Sequence, residues 1–319
     1  MLGLSARAAL RAGLTVAIGG DAIVHTAFID LGGRIGERWA TMLGLPGLLY
    51  LAGAAAAFHL GGAERTDAVR LADTLGLDTT GPAVWIALLV TVPVLTAAAT
   101  AAAGALAAAV TGAWLGRWPG IARPLSGPLR RWRRRRWDGA NDEYERARDA
   151  VRGAPGADEL LELNRLASRR NAIALEPPVH PTWMGDRLSA VDARIWHWYG
   201  LDVVFAWPRL WLVLNETEQA SVRAARARLD SAMGLAGWGL LCLPLALWWW
   251  PAIAASAVLL GAAHRRGRRA CDGYAHLVEA AFDLRGPLLA RELGIAIEED
   301  GALSRHVGLS VTEQLRKAV

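Results

Sequence analysis

The chain has 319 residues, 53% of them hydrophobic, and a mean hydropathy of +0.23. Soluble domains rarely combine such an average with long runs free of charge, which makes a membrane protein the leading class. A formal net charge of +5 and a pI near 9.8 favour an anionic membrane surface over nucleic acid as neighbour.

The basic residues are almost all arginine, and Lys317 is the only lysine. That bias is the mark of a high-GC genome and points to an actinobacterium. Cys242 and Cys271 are the only cysteines, too few for a disulfide framework or a zinc site. Residues 1–20 have no basic stretch leading into an uninterrupted apolar run, so no signal peptide is expected.

Residues 1–42 read as an N-terminal interfacial or pre-membrane helical segment. Within it, 12–31 is apolar but carries Asp21 and His25, four apart on one face of a helix. The segment either lies in the interface with a polar stripe or crosses with functional charges inside the bilayer. The first reading is the simpler one.

Residues 43–116 form the first expected transmembrane hairpin, with spans at 43–61 and 83–114. Each has the roughly 20 mostly apolar residues that a crossing helix needs. Pro93 is a candidate kink. Thr100, Gly104, Ala108 and Gly112 recur every four residues, which predicts a face for close helix approach.

Residues 117–229 read as an arginine-rich cytoplasmic helical domain. It opens with eight arginines and no acid between 117 and 136, including WRRRRW at 132–137. Arg130, Arg131, Trp132, Arg133, Arg134, Arg135, Arg136 and Trp137 are the candidate contacts. Their simplest role is a topology anchor with interfacial aromatics; anionic lipid or a protein partner comes next. Nucleic acid stacked on the tryptophans is disfavoured. Helices are expected at 138–153 and 155–171. Three prolines break the chain over 176–186, and helix resumes to a stop at Gly200. Residues 201–214 are apolar but too short to span, and Asn215 caps the next helix with Glu218 at its third position.

Residues 230–266 form the second expected hairpin. The run 231–263 carries no charge, yet Pro244, Trp248, Trp249, Trp250 and Pro251 interrupt it. Tryptophan prefers the membrane–water interface, which places a turn at 248–251. Arginine clusters follow both hairpins, at 117–136 and at HRRGRR (264–269). The positive-inside rule puts both in the cytoplasm, so the run crosses twice.

Residues 267–319 complete the chain as cytoplasmic C-terminal helices. The fourth span continues to Asp283, Pro287 restarts a short helix, and SVTE at 310–313 caps a last turn. Asp272, His276, Glu279 and Asp283 share a helical face, a pattern that could ligate a metal. The apolar stripe Cys271, Ala275, Val278 and Phe282 beside it favours an amphipathic helix with its polar side wet. With no catalytic motif present, no enzyme activity, cofactor or metal is expected.

The block at 181–214 starts with Pro181, Thr182, Gly185 and Asp186. It continues through Tyr199, Gly200 and Asp202 to Trp207, Pro208, Arg209 and Trp211. It resembles a P-T-x-x-G-[ND] … Y-G-L-D … W-P-R-L-W block in uncharacterised multi-pass membrane proteins of actinobacteria. The resemblance implies architecture and no activity. Asp202 and Arg209, if buried, are expected to pair with each other.

The expectation is an all-α membrane protein with about four transmembrane helices in two hairpins and a mainly helical cytoplasmic domain between them. Both termini and residues 117–229 face the cytoplasm of a bacterial inner membrane. The expected role is a non-enzymatic anchor, scaffold or signal-relay subunit. Anionic head groups, a cytoplasmic protein and a second copy of the chain are its candidate partners. The alternative is a pore, transport or membrane-perturbing component such as a defence effector, with Asp21 and His25 lining a cavity.

Overall fold

The computed structural model describes residues 46–55, 82–118, 120, 123–151, 156–297 and 301–317. The expectations for 1–42, including Asp21 and His25, lie outside these residues, as do the ends of the span at 43–61. The described residues contain no strand. In chain order the helices are α1 (Pro46–Ala55), α2 (Pro82–Trp114), α3 (Arg123–Ala150), α4 (Ala157–Ile173) and α5 (Trp183–Tyr199). They continue with α6 (Val203–Val213), α7 (Glu216–Leu241), a 3-10 turn at Leu243–Leu247, α8 (Pro251–Glu292) and α9 (Arg305–Arg316).

Two helices are long and apolar enough to cross a membrane by length and composition, Leu89–Trp114 and Glu216–Leu247. The ten-residue α1 falls short of that length within its described part. The apolar start of α8 ends at Ala263, before His264 and Arg265.

By their contacts the described residues divide into two units. The larger comprises Tyr50–Arg194 and Glu216–Ala280; the smaller includes Ile195–Asn215 and Ala281–Val319.

In the larger unit α2 packs along α7. A side chain at Gly237 would run into the Ala103 carbonyl and Ala107. The face of α2 that meets α7 is therefore Ala99, Ala103 and Val110, not the expected Thr100, Gly104, Ala108 and Gly112 stripe. Gly104 and Ala108 are exposed. The stretch is alanine and glycine nearly all round, so small residues alone do not mark a face. The helix runs through Pro93 and ends in a glycine cap. Gly116 takes φ +80°, its N–H donates to Ala113 O at 3.1 Å, and Arg117 N–H donates to Gly112 O at 2.8 Å.

The chain leaves α-helix between Leu241 and Pro251, a break that opens earlier than the expected turn at 248–251. α7 stops at Leu241, the 3-10 turn carries Pro244, and α8 starts at Pro251. The buried Ser256 hydroxyl donates to Gly239 O at 2.7 Å, and a Cβ on Gly239 would sit 3.0 Å from Leu260. The second arm thus folds back on the first, leaving Leu247, Trp248 and Trp250 exposed at the tip.

α8 is continuous through Pro287, which does not restart a helix as expected. Phe282, Leu289 and Ala290 on either side are fully buried, and their packing holds the helix across the one missing hydrogen bond. In the smaller unit, α9 begins at Arg305, five residues before the expected cap at Ser310. Ser310 and Thr312 lie inside it, and the hydrophobic face of Val307, Val311 and Leu315 is buried.

Candidate functional site

The first turn of α5 joins three other helices within the larger unit. Thr182 precedes the helix and works in both directions. Its hydroxyl donates to Trp114 O, at the end of α2, at 2.6 Å and accepts from Gly185 N–H at 3.3 Å. That is an N-cap bond to the third helical residue. Gly185 has no room for a side chain, since a Cβ would lie 2.8 Å from Leu115 O and 2.9 Å from the His180 Cβ. Asp186 is buried and saturated. One oxygen accepts from the Val179 and His180 N–H groups at 2.9 and 2.7 Å, and the other accepts from Arg133 on α3 at 2.8 Å. Met184 and Trp183 face α8. The Cys271 thiol donates to Met184 O at 3.8 Å, and the Arg268 guanidinium lies 4.3 Å from the Trp183 ring centre.

This hub divides the WRRRRW motif by helical phase. Arg133 and Trp137, four apart, point inward. Arg133 donates to Asp186 and to Ile173 O at 2.8 Å, while the buried Trp137 indole donates to Ala174 O at 2.9 Å. They are fold residues. Arg130, Arg131, Trp132, Arg134, Arg135 and Arg136 are exposed. Arg134 pairs with Asp138 at 2.9 Å, and Arg136 stacks 4.8 Å from Trp132. Two hydrogen-bonded links therefore connect the arginine row to the end of α2: Arg133 to Asp186, and Thr182 to Trp114.

Arg187 is the next residue, and it was not singled out from the sequence. It is the most deeply buried cation described, 2% exposed. Its Nε donates to Asp272 at 2.6 Å and its Nη1 to Glu279 at 3.1 Å. His276 lies 3.6 Å from Asp272 and 3.9 Å from Glu279. The stripe on α8 is thus not simply a wet face, because two of its carboxylates hold a buried guanidinium. Two carboxylates on one cation make a structural ion cluster. Among the described residues no His, Cys, Asp or Glu group has the arrangement of a metal site.

The Y-G-L-D … W-P-R-L-W residues gather in the smaller unit against α9. Gly200 ends α5 with φ +65°. The Thr312 hydroxyl of α9 donates to Gly200 O at 2.8 Å and accepts from Asp202 N–H at 3.0 Å. Asp202 caps α6, accepting from Val204 N–H at 3.0 Å, and pairs with Arg316 at 2.6 Å. It does not pair with Arg209, whose guanidinium instead donates to Phe205 O one turn back at 2.8 Å. The expected Asp202–Arg209 pair fails because the aspartate is committed to its own helix N-terminus and to α9. Trp207 is buried between Trp211 and Phe282, at ring distances of 5.9 and 6.0 Å, and Pro208 is exposed. Tyr199 donates to Asp283 at 2.8 Å; burial, then that bond, push its hydroxyl up to about 12. Nothing in this set converges on an open reactive atom, and its bonds are those of a docking seam.

The chain matches no known family model, no curated protein and no solved structure.

Proposed function

We propose that the chain is a non-enzymatic multi-pass protein of a bacterial cytoplasmic membrane, acting as an anchor or scaffold. Its basic face on the cytoplasmic side engages an acidic surface. In this reading it crosses four times, as hairpins at 43–116 and 230–266, and both termini lie inside.

One observation carries the reading: three helices change from apolar to charged at the same level. α2 ends at Trp114, whose ring meets His264 of α8 edge-on at 5.5 Å. Val110 of α2, Leu229 and Met233 of α7, and Ala263 of α8 belong to one buried cluster. On one side of that level lie Arg117, Arg228, Arg265 and Arg266, with Asp230 at the level itself; on the other, α2, α7 from Ser231 and α8 are uncharged as far as the tryptophan tip. A soluble bundle has no reason to align three such boundaries, whereas a bilayer surface imposes it.

The uncovered apolar surface agrees. Leu89, Val90, Val94 and Leu95 on α2 are exposed, as are Leu247 and Ile253 at the hairpin. From Leu89 to Trp114, 26 residues extend about 39 Å at ~1.5 Å per residue, more than the ~30 Å hydrocarbon core. Alkaline carbonate extraction of membranes tests the reading. An integral protein stays in the pellet; release into the supernatant would make it peripheral and refute the crossings.

A further inference from the structure

The exposed arginines differ in how they are partnered. On the far stretch of α3 and on α4 several are neutralised within the fold, although Arg146 there bonds only the Asp142 carbonyl. Arg148 pairs with Glu145 at 3.2 Å, Arg165 with Glu162 at 2.9 Å and Arg169 with Glu143 at 2.7 Å. Beside the hub Arg134 pairs with Asp138, and most of its neighbours have no such partner. Arg130, Arg131 and Arg135 on α3, Arg228 on α7, and Arg265, Arg266 and Arg269 on α8 are all exposed. No carboxylate among the described residues lies within ion-pair distance of any of them.

Two inward residues bring the rows on α3 and α8 into register. Arg133 reaches Asp186 from α3, and Arg268 stacks on Trp183 from α8, so both unpaired rows flank the same turn of α5. That turn is bonded to the end of α2 through Thr182 and Trp114. A set of unneutralised cations therefore sits where three apolar helices end.

We infer that these two rows form one binding surface for anionic lipid head groups of the leaflet in which the chain is embedded. This inference rests on the membrane reading above and names the acidic surface it requires. Guanidinium is suited to the task, because its fixed fork of donors matches a phosphate and it stays charged at any physiological pH. Each arginine held near an anionic surface adds to attraction that decays within a Debye length, about 8 Å at physiological salt. Only cations near the boundary gain from it, and the two rows lie there without carboxylate partners. The surface excludes Arg133 and Trp137, which the fold uses. It adds Arg228 and the α8 row, which lie far from the WRRRRW motif in sequence.

The test uses the full chain in nanodiscs of phosphatidylcholine with one-fifth phosphatidylglycerol, reading the lipids retained by native mass spectrometry. Two charge-removed variants are compared, Arg130→Gln/Arg131→Gln/Arg135→Gln and Arg265→Gln/Arg266→Gln/Arg269→Gln. The control is Arg165→Gln/Arg169→Gln. Phosphatidylglycerol is expected to be enriched several-fold over its bulk share, with each triple variant losing a large part of that enrichment and the control none. The enrichment is expected to persist when soluble polyphosphate or an acidic peptide is added. Retention in both triple variants equal to that of the unsubstituted chain, or displacement by polyphosphate or peptide, would overturn the assignment to lipid. A chain extracted by carbonate would instead bring down the membrane reading itself, and a circular-dichroism melt separates loss of fold from loss of contact.

Discussion

Arg133 of α3 and Asp186 of α5 hold each other at 2.8 Å with side chains 13% and 3% exposed. This pair ties the arginine row to the turn on which α2 and α8 converge. Breaking a buried pair by removing one partner leaves an uncompensated charge and costs about 3–5 kcal/mol. Asp186→Ala also strips two backbone N–H groups of their acceptor. It should lower stability in detergent by at least that amount, measured by chemical denaturation. Asp186→Asn keeps one acceptor oxygen and should lose less. Arg187→Met should likewise destabilise, and Arg187→Met/Glu279→Leu should recover part of the loss.

The contact between α2 and α7 makes a sharper distinction. Gly237 faces the Ala103 carbonyl, whereas Gly104 has nothing within 4 Å. Gly237→Val should separate the helices and cost about 1–3 kcal/mol, as overpacking does. Gly104→Val should change stability by much less. Thermal melts of the two variants in one detergent check this, and equal effects would restore the Thr100–Gly112 face that the structure sets aside.

The C-terminal helix α9 is held at its seat by Thr312 and Gly308. Thr312→Val leaves the Gly200 carbonyl and the Asp202 N–H without a partner, at about 1–3 kcal/mol for an unsatisfied group. Gly308→Ala drives a methyl into the Tyr199 carbonyl. Both should speed proteolysis and hydrogen exchange over 305–316 while leaving α2 and α7 protected.

Alkaline pH should loosen the fold in a defined window. Burial pushes the Cys271 thiol from 9.0 up to about 12, and Tyr199 rises from 10.0 to about 12. Both are neutral in the fold and ionise more easily once unfolded. Their contribution is full below about pH 9 and is lost as pH rises toward 12. Stability should therefore fall across that interval, and Tyr199→Phe should flatten the upper part of the curve. At pH 8, Cys271 should resist maleimide until the chain is denatured.

Local rules carried much of this fold. The proline cluster at 177–181, Gly200 and the tryptophan–proline turn each mark a break that the backbone makes. The stops are chemical: a left-handed glycine or a missing N–H. Partner choice was not legible. WRRRRW looks uniform as sequence, yet a period of 3.6 turns Arg133 and Trp137 inward and the rest outward, and only α5 shows which phase is taken. Arg187 carries no signal of burial, because its two carboxylates come from a helix 85 and 92 residues away. Asp202 was given to Arg209 by proximity in sequence, and α9 supplied Arg316 from 114 residues on. The alanine-rich α2 offered several equivalent small-residue faces, so its contact face depended on α7.

The central claim is that the tryptophan run turns outside the membrane and that the arginine surface lies within the cell. Single cysteines decide it most directly. Trp250→Cys, Gly139→Cys and Leu284→Cys would each be placed in a chain with Cys242→Ser and Cys271→Ala, then probed in intact cells with a membrane-impermeant maleimide. These three positions are exposed in the fold. The account predicts labelling at position 250 alone, with 139 and 284 reacting only after permeabilisation. Labelling at 284 from outside while 139 stays protected would mean that 231–263 crosses once, and the topology and the lipid surface would fall together.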